Sequence, residues 1–405
     1  MTSEIKQRIE QIRRGEVPER YVKTVLGLAP ANWKRYTFGD IYTERKEPGD
    51  ENLPLLMVSI HSGVSDGEVD AAELPKQVKR IEDKSQYKKA VSGDLVFNMM
   101  RAWQGAIGTV RTTGMVSPAY IVAEPNDKAY PLFMDYYSRT PQMINQIDRQ
   151  SYGVTDFRKR LYWDSFAPIS CTLPPIEEQQ KIAAILTTQD RVIELKEKCL
   201  AEKQRQKKYL MQQLLTGKKR LPGFNGTWEK EKLGYICDIV KGEQVNKNSL
   251  YEVGKYYVLN GGVTPSGYTD TWNTSENTIS ISEGGNSCGF VNFNREKFWS
   301  SGHCYTLNSL NSSKIVNTFL YQYLKHHEYE IKSLRVGSGL PNIQKTALDN
   351  FGLTCPPIEE QTSIAEVLSA ADREIDLLRQ DIEQEKQKKK ALMQLLLTGI
   401  VRVKT

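Results

Sequence analysis

Side chains able to make several directed hydrogen bonds are concentrated in a few polar loops. In MMRAWQGAIG, Arg101, Trp103 and Gln104 stand together. A guanidinium can donate twice to guanine O6 and N7, and a carboxamide can pair with adenine N6 and N7. The basic cluster Arg149, Arg158, Lys159 and Arg160 suits phosphate oxygens. Further along the chain, NGGVTPSGY offers Asn260, Ser266 and Tyr268, and SEGGNSCG offers Glu283, Asn286 and Ser287. A third group is Arg335, Asn342, Gln344 and Lys345. Glycine-rich loops bring the backbone and short polar side chains close to a ligand. Each group also has a plainer reading: a hairpin tip with a packed Trp, a solvated basic patch, or ordinary Asn/Gly/Ser turns.

Catalytic chemistry is not written in the chain. An enzyme that methylates the amino group of a flipped base would need an N-P-P-Y-like loop, and the only Pro-Pro pairs run on into Ile-Glu-Glu. VGSGLPN lacks the third glycine and the βαβ setting of a dinucleotide fingerprint, and there is no GxxxxGK[ST] phosphate cradle. The four histidines have no metal-pair spacing, and the six cysteines form no CxxC, so no zinc site is expected. Glu194 and Lys196 fall on a helix as ordinary surface charge.

Loops of this kind need elements to position them, and the strongest pattern in the chain is a duplication. PPIEEQQKIAAIL starts at Pro174 and PPIEEQTSIAEVL at Pro356; Pro174–Arg220 and Pro356–Arg402 align without a gap, with about half their positions identical. Each copy reads as one long helix. Pro suits the first turn, the pairs Glu177/Glu178 and Glu359/Glu360 favour the positive end of the dipole, and Gly217 and Gly399 sit where a left-handed C′ residue belongs. In the second copy Ile364, Leu368, Ala371, Ile375, Leu378 and Ile382 step by alternating fours and threes, and Leu392 and Leu396 rejoin the phase. Ile182, Leu186, Ile193, Leu200, Leu210 and Leu214 hold the matching places in the first. This 3.5-residue period is a coiled-coil seam. Gln189, Lys196, Lys203 and Lys207 interrupt one seam, and Glu385 and Lys389 the other, which argues for a partner-specific pairing. A helix of about 40 residues is about 60 Å long. The simplest way to bury its stripe is antiparallel, one helix on the other; separate packing on each helix's own domain is the alternative.

The segments before the helices are alike more weakly. WKRYTFG and WEKEKLG both run from a Trp (Trp33, Trp228) to a Gly (Gly39, Gly234). GDLVFNMMRAWQGAIGTV and ENTISISEGGNSCGFVNF share a strand, loop, strand plan. SPAY matches SGHCY, and QSYGVTDFRKRL matches RVGSGLPNIQKTAL as a polar closing segment. The order is therefore head, helix, head, helix, with strand-rich α+β heads. An amphipathic piece with Ile5, Ile9 and Ile12 comes first.

Composition sets few limits. The 405 residues carry 39% hydrophobic and 26% charged side chains with a net charge of +6, which permits a polyanion partner without demanding one. No apolar run suits a membrane span. The polar N-terminal stretch lacks a secretory core, and scattered thiols fit a reducing cytoplasm. Residues 194–220 hold nine Lys/Arg and three Asp/Glu, a basic face for DNA or simply a solvated one.

The PPIEEQ…LLTG unit, present twice behind two dissimilar heads, resembles the specificity subunit of type I restriction-modification systems, over essentially the whole chain. The resemblance implies the following layout: a leading helical segment (1–25), a first target-recognition domain (26–173), a central conserved helix (174–219), a second target-recognition domain (220–355) and a C-terminal conserved helix (356–405). It implies two long antiparallel coiled-coil helices, a pseudo-twofold internal repeat, and a non-catalytic chain whose heads each read half of a bipartite site in double-stranded DNA. Two methylation subunits and restriction subunits would be its partners. S-adenosylmethionine, ATP and Mg would be held by those subunits and none by this chain. Two rival readings stay open from sequence: a self-contained DNA-modifying enzyme and a coiled-coil adaptor that does not bind DNA.

Overall fold

The computed structural model describes residues 3–403 apart from 26, 51, 61–62, 66–85, 154–157, 338 and 340. Four residues of QSYGVTDFRKRL and two of RVGSGLPNIQKTAL thus lie outside the described residues. Contacts divide the chain into two compact units, Met1–Leu195 with Ile382–Thr405, and Lys196–Asp381. The long helices run over Ile176–Leu214 and Ile358–Leu397, so each contributes one part to each unit.

The first unit is built on an antiparallel sheet in the order Tyr42–Arg45, Tyr120–Pro125, Leu95–Asn98, Ile107–Thr109. A two-strand pair, Lys34–Thr37 with Ser170–Leu173, ties the start of the head to the strand that leads into the long helix. Helices Pro131–Tyr137 and Pro141–Gln150 cover the sheet through Phe133, Met134, Met143 and Ile147. The second unit repeats the plan with Asp238–Lys241, Cys304–Asn308, Thr278–Ser282, Val291–Asn294, and its two-strand tie is Glu229–Lys232 with Gly352–Cys355. Helix Asn317–His326 covers that sheet through Phe319, Leu320 and Leu324. Tyr256–Leu259, Gly267–Thr269 and Trp299–Ser300 form an added three-stranded sheet.

The helix stripes are shared with the heads. Ile182 and Leu186 are buried in the first head's core together with Leu396 and Leu397 from the second helix. Ile364 and Leu368 are buried in the second head's core beside Met211, Leu214 and Leu215 from the first helix. Ile193, Ile375 and Ile382 are buried outside these clusters, whereas Leu200, Leu210, Leu378 and Leu392 are half-buried. Both burial routes weighed from sequence therefore operate: each helix start packs on its own head, and the end of the other helix completes that core.

The polar residues that interrupt the seams find one another. Within the first unit Gln189 Nε2 donates to Glu385 Oε2 at 2.6 Å, and Lys389 pairs with Asp190. Within the second, Lys196–Asp381 (2.8 Å), Lys203–Glu374 (2.7 Å) and Lys207–Asp372 (2.5 Å) pair in descending order. Numbers rise on one helix as they fall on the other, so the strands of each helix pair run antiparallel. Gly217 and Gly399 close the helices with φ of 69° and 71°, the left-handed conformation their position requires. The leading helix Ser3–Arg13 has no buried residue and sits against the chain's other end: Arg8 donates to the Ile400 carbonyl (3.0 Å), and the Tyr21 hydroxyl to that of Gly399 (2.7 Å).

Candidate nucleic-acid interface

The duplicated motif is a joint, and its residues hold the heads in place. In the first unit the buried Glu178 carboxylate accepts two hydrogen bonds from Arg402 (2.6 and 2.7 Å) and one from the Trp33 indole (3.3 Å). In the second, Glu360 accepts from Arg220 (2.5 and 2.6 Å) and from Trp228 (3.3 Å). A fork-on-fork guanidinium pair is the arrangement that makes burying a carboxylate tolerable. Gln179 accepts from the Tyr130 amide and donates to the carbonyls of Lys128 and Pro174, each at 2.9 Å. Gln361 accepts from the Val316 amide (2.9 Å) and donates to Lys314 (2.9 Å) and Pro356 (2.8 Å). The sequence reading assigned both glutamates of each pair to the helix dipole. Glu178 and Glu360 are instead buried ligands of an arginine from the end of the other helix. The signal was present: Arg220 and Arg402 occupy the same repeat position, and Trp33 and Trp228 open the two heads. The central Asp belongs to the same frame. Asp190 accepts from the Tyr136 hydroxyl (2.7 Å), and Asp372 from the Gln322 amide (2.7 Å).

On this frame, each head carries a strand end, a short 3-10 turn next to it and a pinning segment. In the first head the Met99 carbonyl accepts from Leu161 N (2.9 Å), and Tyr152 and Arg160 exchange backbone hydrogen bonds (3.1 and 3.0 Å). The turn is Ala102–Gln104. In the second, the Glu283 carbonyl accepts from Ile343 N (2.8 Å), Val336 and Asn342 exchange bonds (2.8 and 3.0 Å), and the turn is Gly285–Ser287. Met99 and Glu283 are thus equivalent, as are Ala119 and His303, whose carbonyls accept from Met99 N (3.1 Å) and Glu283 N (2.9 Å).

The first head joins two of the sequence-derived groups. Arg101 and Gln104 are exposed on the 3-10 turn, and Trp103 is half-buried with its indole donating to the Met100 carbonyl (3.0 Å). Lys159 lies 5.2 Å from the Trp103 ring centroid and pairs with Asp148 (2.9 Å), so it braces the turn. Arg149, Arg158 and Arg160 are exposed, Arg149 on the helix packed against the turn.

In the second head a Gly284–Asn342 bridge brings Glu283, Asn286, Ser287 and Asn342 to one strand end. Gln344 donates to Asn342 Oδ1 (3.2 Å), Arg335 is exposed, and Lys345 pairs with Asp349 (3.3 Å). Asn260 adjoins this edge, since Ser282 Oγ donates to the next carbonyl, Gly261 O (2.5 Å); its own Oδ1 is buried without a partner. Ser266 and Tyr268 lie on the separate three-stranded sheet. Glu283 is not an open reader. It is buried and accepts from Lys241 (2.6 Å) and the Tyr305 hydroxyl (3.3 Å), with His303 Nδ1 at 3.4 Å. Sequence reading missed Lys241, His303 and Tyr305, because only the strand register brings them beside Glu283.

Burial pushes the Cys171 and Cys237 thiols up to about 12 and Cys355 to about 11, far from thiolate formation. Burial and the Glu283 charge push Tyr305 up to about 12, which keeps its hydroxyl a donor. Among the described residues no His/Cys/Asp/Glu group has metal-binding geometry, and no helix is long and apolar enough to cross a membrane.

Comparison with known proteins follows the same division. The model of the type I restriction modification DNA specificity domain matches residues 71–203 and 225–387, more than half of the chain. A relative from Mycoplasma pneumoniae described as a type I specificity subunit is 37% identical over 160 residues, 39% of this chain and 42% of that protein, so this match spans under half the relative's length. A type I restriction enzyme specificity subunit of Methanocaldococcus jannaschii is 25% identical over 95% of this chain and 97% of its own. The fold is similar to a type I restriction-modification S subunit from M. genitalium, with a TM-score of 0.65 at 15% identity, covering 92% of this chain and 97% of that one. It is also similar to a chain from a type I R-M assembly, with a TM-score of 0.55 at 20% identity over 92% and 99% of the two chains.

Proposed function

The chain belongs to the family of type I restriction-modification DNA specificity domains, and from that premise we propose that it is the DNA-recognition subunit of such a system. Each head reads one half of a bipartite double-stranded site through its strand end, 3-10 turn and pinning segment. The two long helices act as an antiparallel coiled coil that relates the heads by a pseudo-twofold axis, fixes the spacer and docks two methylation subunits. Those subunits carry S-adenosylmethionine and modify the DNA. Restriction subunits carry ATP and Mg. This chain contributes recognition, in the cytoplasm.

The observation that carries this reading is the joint. Two heads with different edges are closed on their helices by the same Trp–Glu–Arg and Gln contacts, with the arginine always arriving from the other helix. A frame held constant under divergent surfaces is what two unlike half-sites read at one fixed separation require.

Removing residues 196–202 and 375–381 together tests it. The deletion takes out the Lys196–Asp381 pair and leaves Lys203 opposite Glu374. Seven residues shorten a helix by about 10 Å, or about three base pairs at 3.4 Å each. Methylome mapping of cells expressing the variant with its methylation subunits is expected to show both half-sites unchanged and the spacer shortened. Altered half-sites with an unaltered spacer would overturn the reading.

A further inference from the structure

The first head exposes large apolar side chains at the edge that carries its basic residues. Met100, Tyr152 and Tyr162 are 42%, 59% and 40% exposed. The tyrosines are brought to this edge by the backbone: Leu161 N donates to Met99 O (2.9 Å), and the Tyr152–Arg160 exchange ties the closing segment together. The two tyrosine rings lie 5.8 Å apart between centroids and are tilted by 36°.

Both rings stand on fixed backbone. The Tyr162 carbonyl accepts from Phe166 N (2.9 Å), and Phe166 is fully buried in the core. Tyr152 follows Ser151, whose hydroxyl donates to the Ile147 carbonyl (2.7 Å). Rings held this way lose little freedom on binding. An exposed aromatic cluster of this kind marks a contact surface. Its neighbours Arg101, Arg158 and Arg160 are exposed cations, which makes the complementary partner a polyanion with flat apolar faces.

We infer that Tyr152 and Tyr162 form a wedge that enters one base step of the half-site read by the first head, while the flanking arginines hold phosphates. The wedge reads how readily that step unstacks, so it selects sequence without a base-edge hydrogen bond. Among the described residues the equivalent positions of the second head carry no aromatic ring: Val336 and Asn342 exchange the equivalent backbone bonds, and Gln344 follows Ile343 where Tyr162 follows Leu161. The inference rests on the DNA-reading function proposed above and adds the means by which one head reads.

The experiment uses the full chain with its methylation subunits and a duplex selected by the wild-type complex from a randomised pool. 2-Aminopurine is placed at each position in turn. Binding is expected to change its fluorescence sharply at one step of the first half-site and at none of the second. Tyr152→Ser/Tyr162→Ser removes both the apolar bulk and the π faces. It is expected to abolish that signal and weaken binding roughly 10- to 100-fold, whereas Tyr152→Phe/Tyr162→Phe retains both. Absence of any responding step in the first half-site overturns the inference whatever the variants do, as does wild-type affinity in a Ser pair that melts normally. If the wild-type complex selects no sequence at all, the proposed function fails first and the wedge falls with it.

Discussion

At the end of the central strand the first head has Met99 and the second has Glu283. Around Met99 lie Ala119 and Ile121; around Glu283 lie His303 and Tyr305. The same backbone bonds therefore enclose an apolar rung in one head and a charged, hydrogen-bonded one in the other. Behind these rungs the heads converge again on Trp33 and Trp228, Glu178 and Glu360, Gln179 and Gln361. The lesson is one of depth. Side chains that are buried and tie a head to a helix are the same in both copies, and those at the open edge have been free to change.

Breaking the shared frame should have the largest effect. Arg402→Ala strands the buried Glu178 carboxylate with only the Trp33 indole, and is expected to destabilise the first unit by about 3 kcal/mol. Urea denaturation gives the loss, and faster hydrogen exchange around Trp33, with none around Trp228, locates it. Arg220→Ala should produce the reverse pattern.

The two helix-closing glycines sharpen the comparison. A Cβ on Gly399 would stand 2.5 Å from Pro30 Cδ and 3.0 Å from the Trp33 ring, while one on Gly217 would come no closer than 3.5 Å to Trp228. Both have positive φ, so Gly217→Ala is expected to cost about 1 kcal/mol, and Gly399→Ala roughly 2–3 kcal/mol once the clash is added. Equal melting temperatures for the two variants would mean that the C-terminal joint is looser than its contacts indicate.

A smaller change is expected at the unlike rungs. Glu283→Gln preserves shape but releases Lys241 and His303, both at least half exposed. An ion pair this open is worth about 1 kcal/mol at most, so urea denaturation should show the second unit destabilised by no more than that. Met99→Gln in the other head should leave the second unit's stability unchanged.

The least effect concerns pH. Burial first, and the neighbouring His327 second, lower the pKa of His326 below its ordinary 6.5. Between that depressed value and 6.5 the unfolded chain binds more protons, so stability falls as pH drops through 6.5. The slope should flatten in His326→Gln, as followed by thermal melts from about pH 7.5 to 5.5.

Much of this was legible in the sequence, for definite reasons. Identity at a fixed offset of 182 positions, together with a 3.5 period, specified both helices, and the interruptions at Gln189, Lys196, Lys203 and Lys207 foretold selective pairing. The strand–turn–strand likeness of GDLVFNMMRAWQGAIGTV and ENTISISEGGNSCGFVNF reappears as the same place in two sheets. Burial was not legible. Glu177 and Glu178 look alike in a string, yet one is exposed and the other wholly enclosed. Nor could spacing reveal that Lys241 and His303, far apart in sequence, meet on one carboxylate, or that Tyr152 and Tyr162 face outward together.

Gln179 and Gln361 grip main-chain atoms alone: an amide N–H and two carbonyls apiece. Such a latch is indifferent to which residue supplies the peptide group. As far as this fastening is concerned, the peptide groups it holds can be supplied by heads of different sequence.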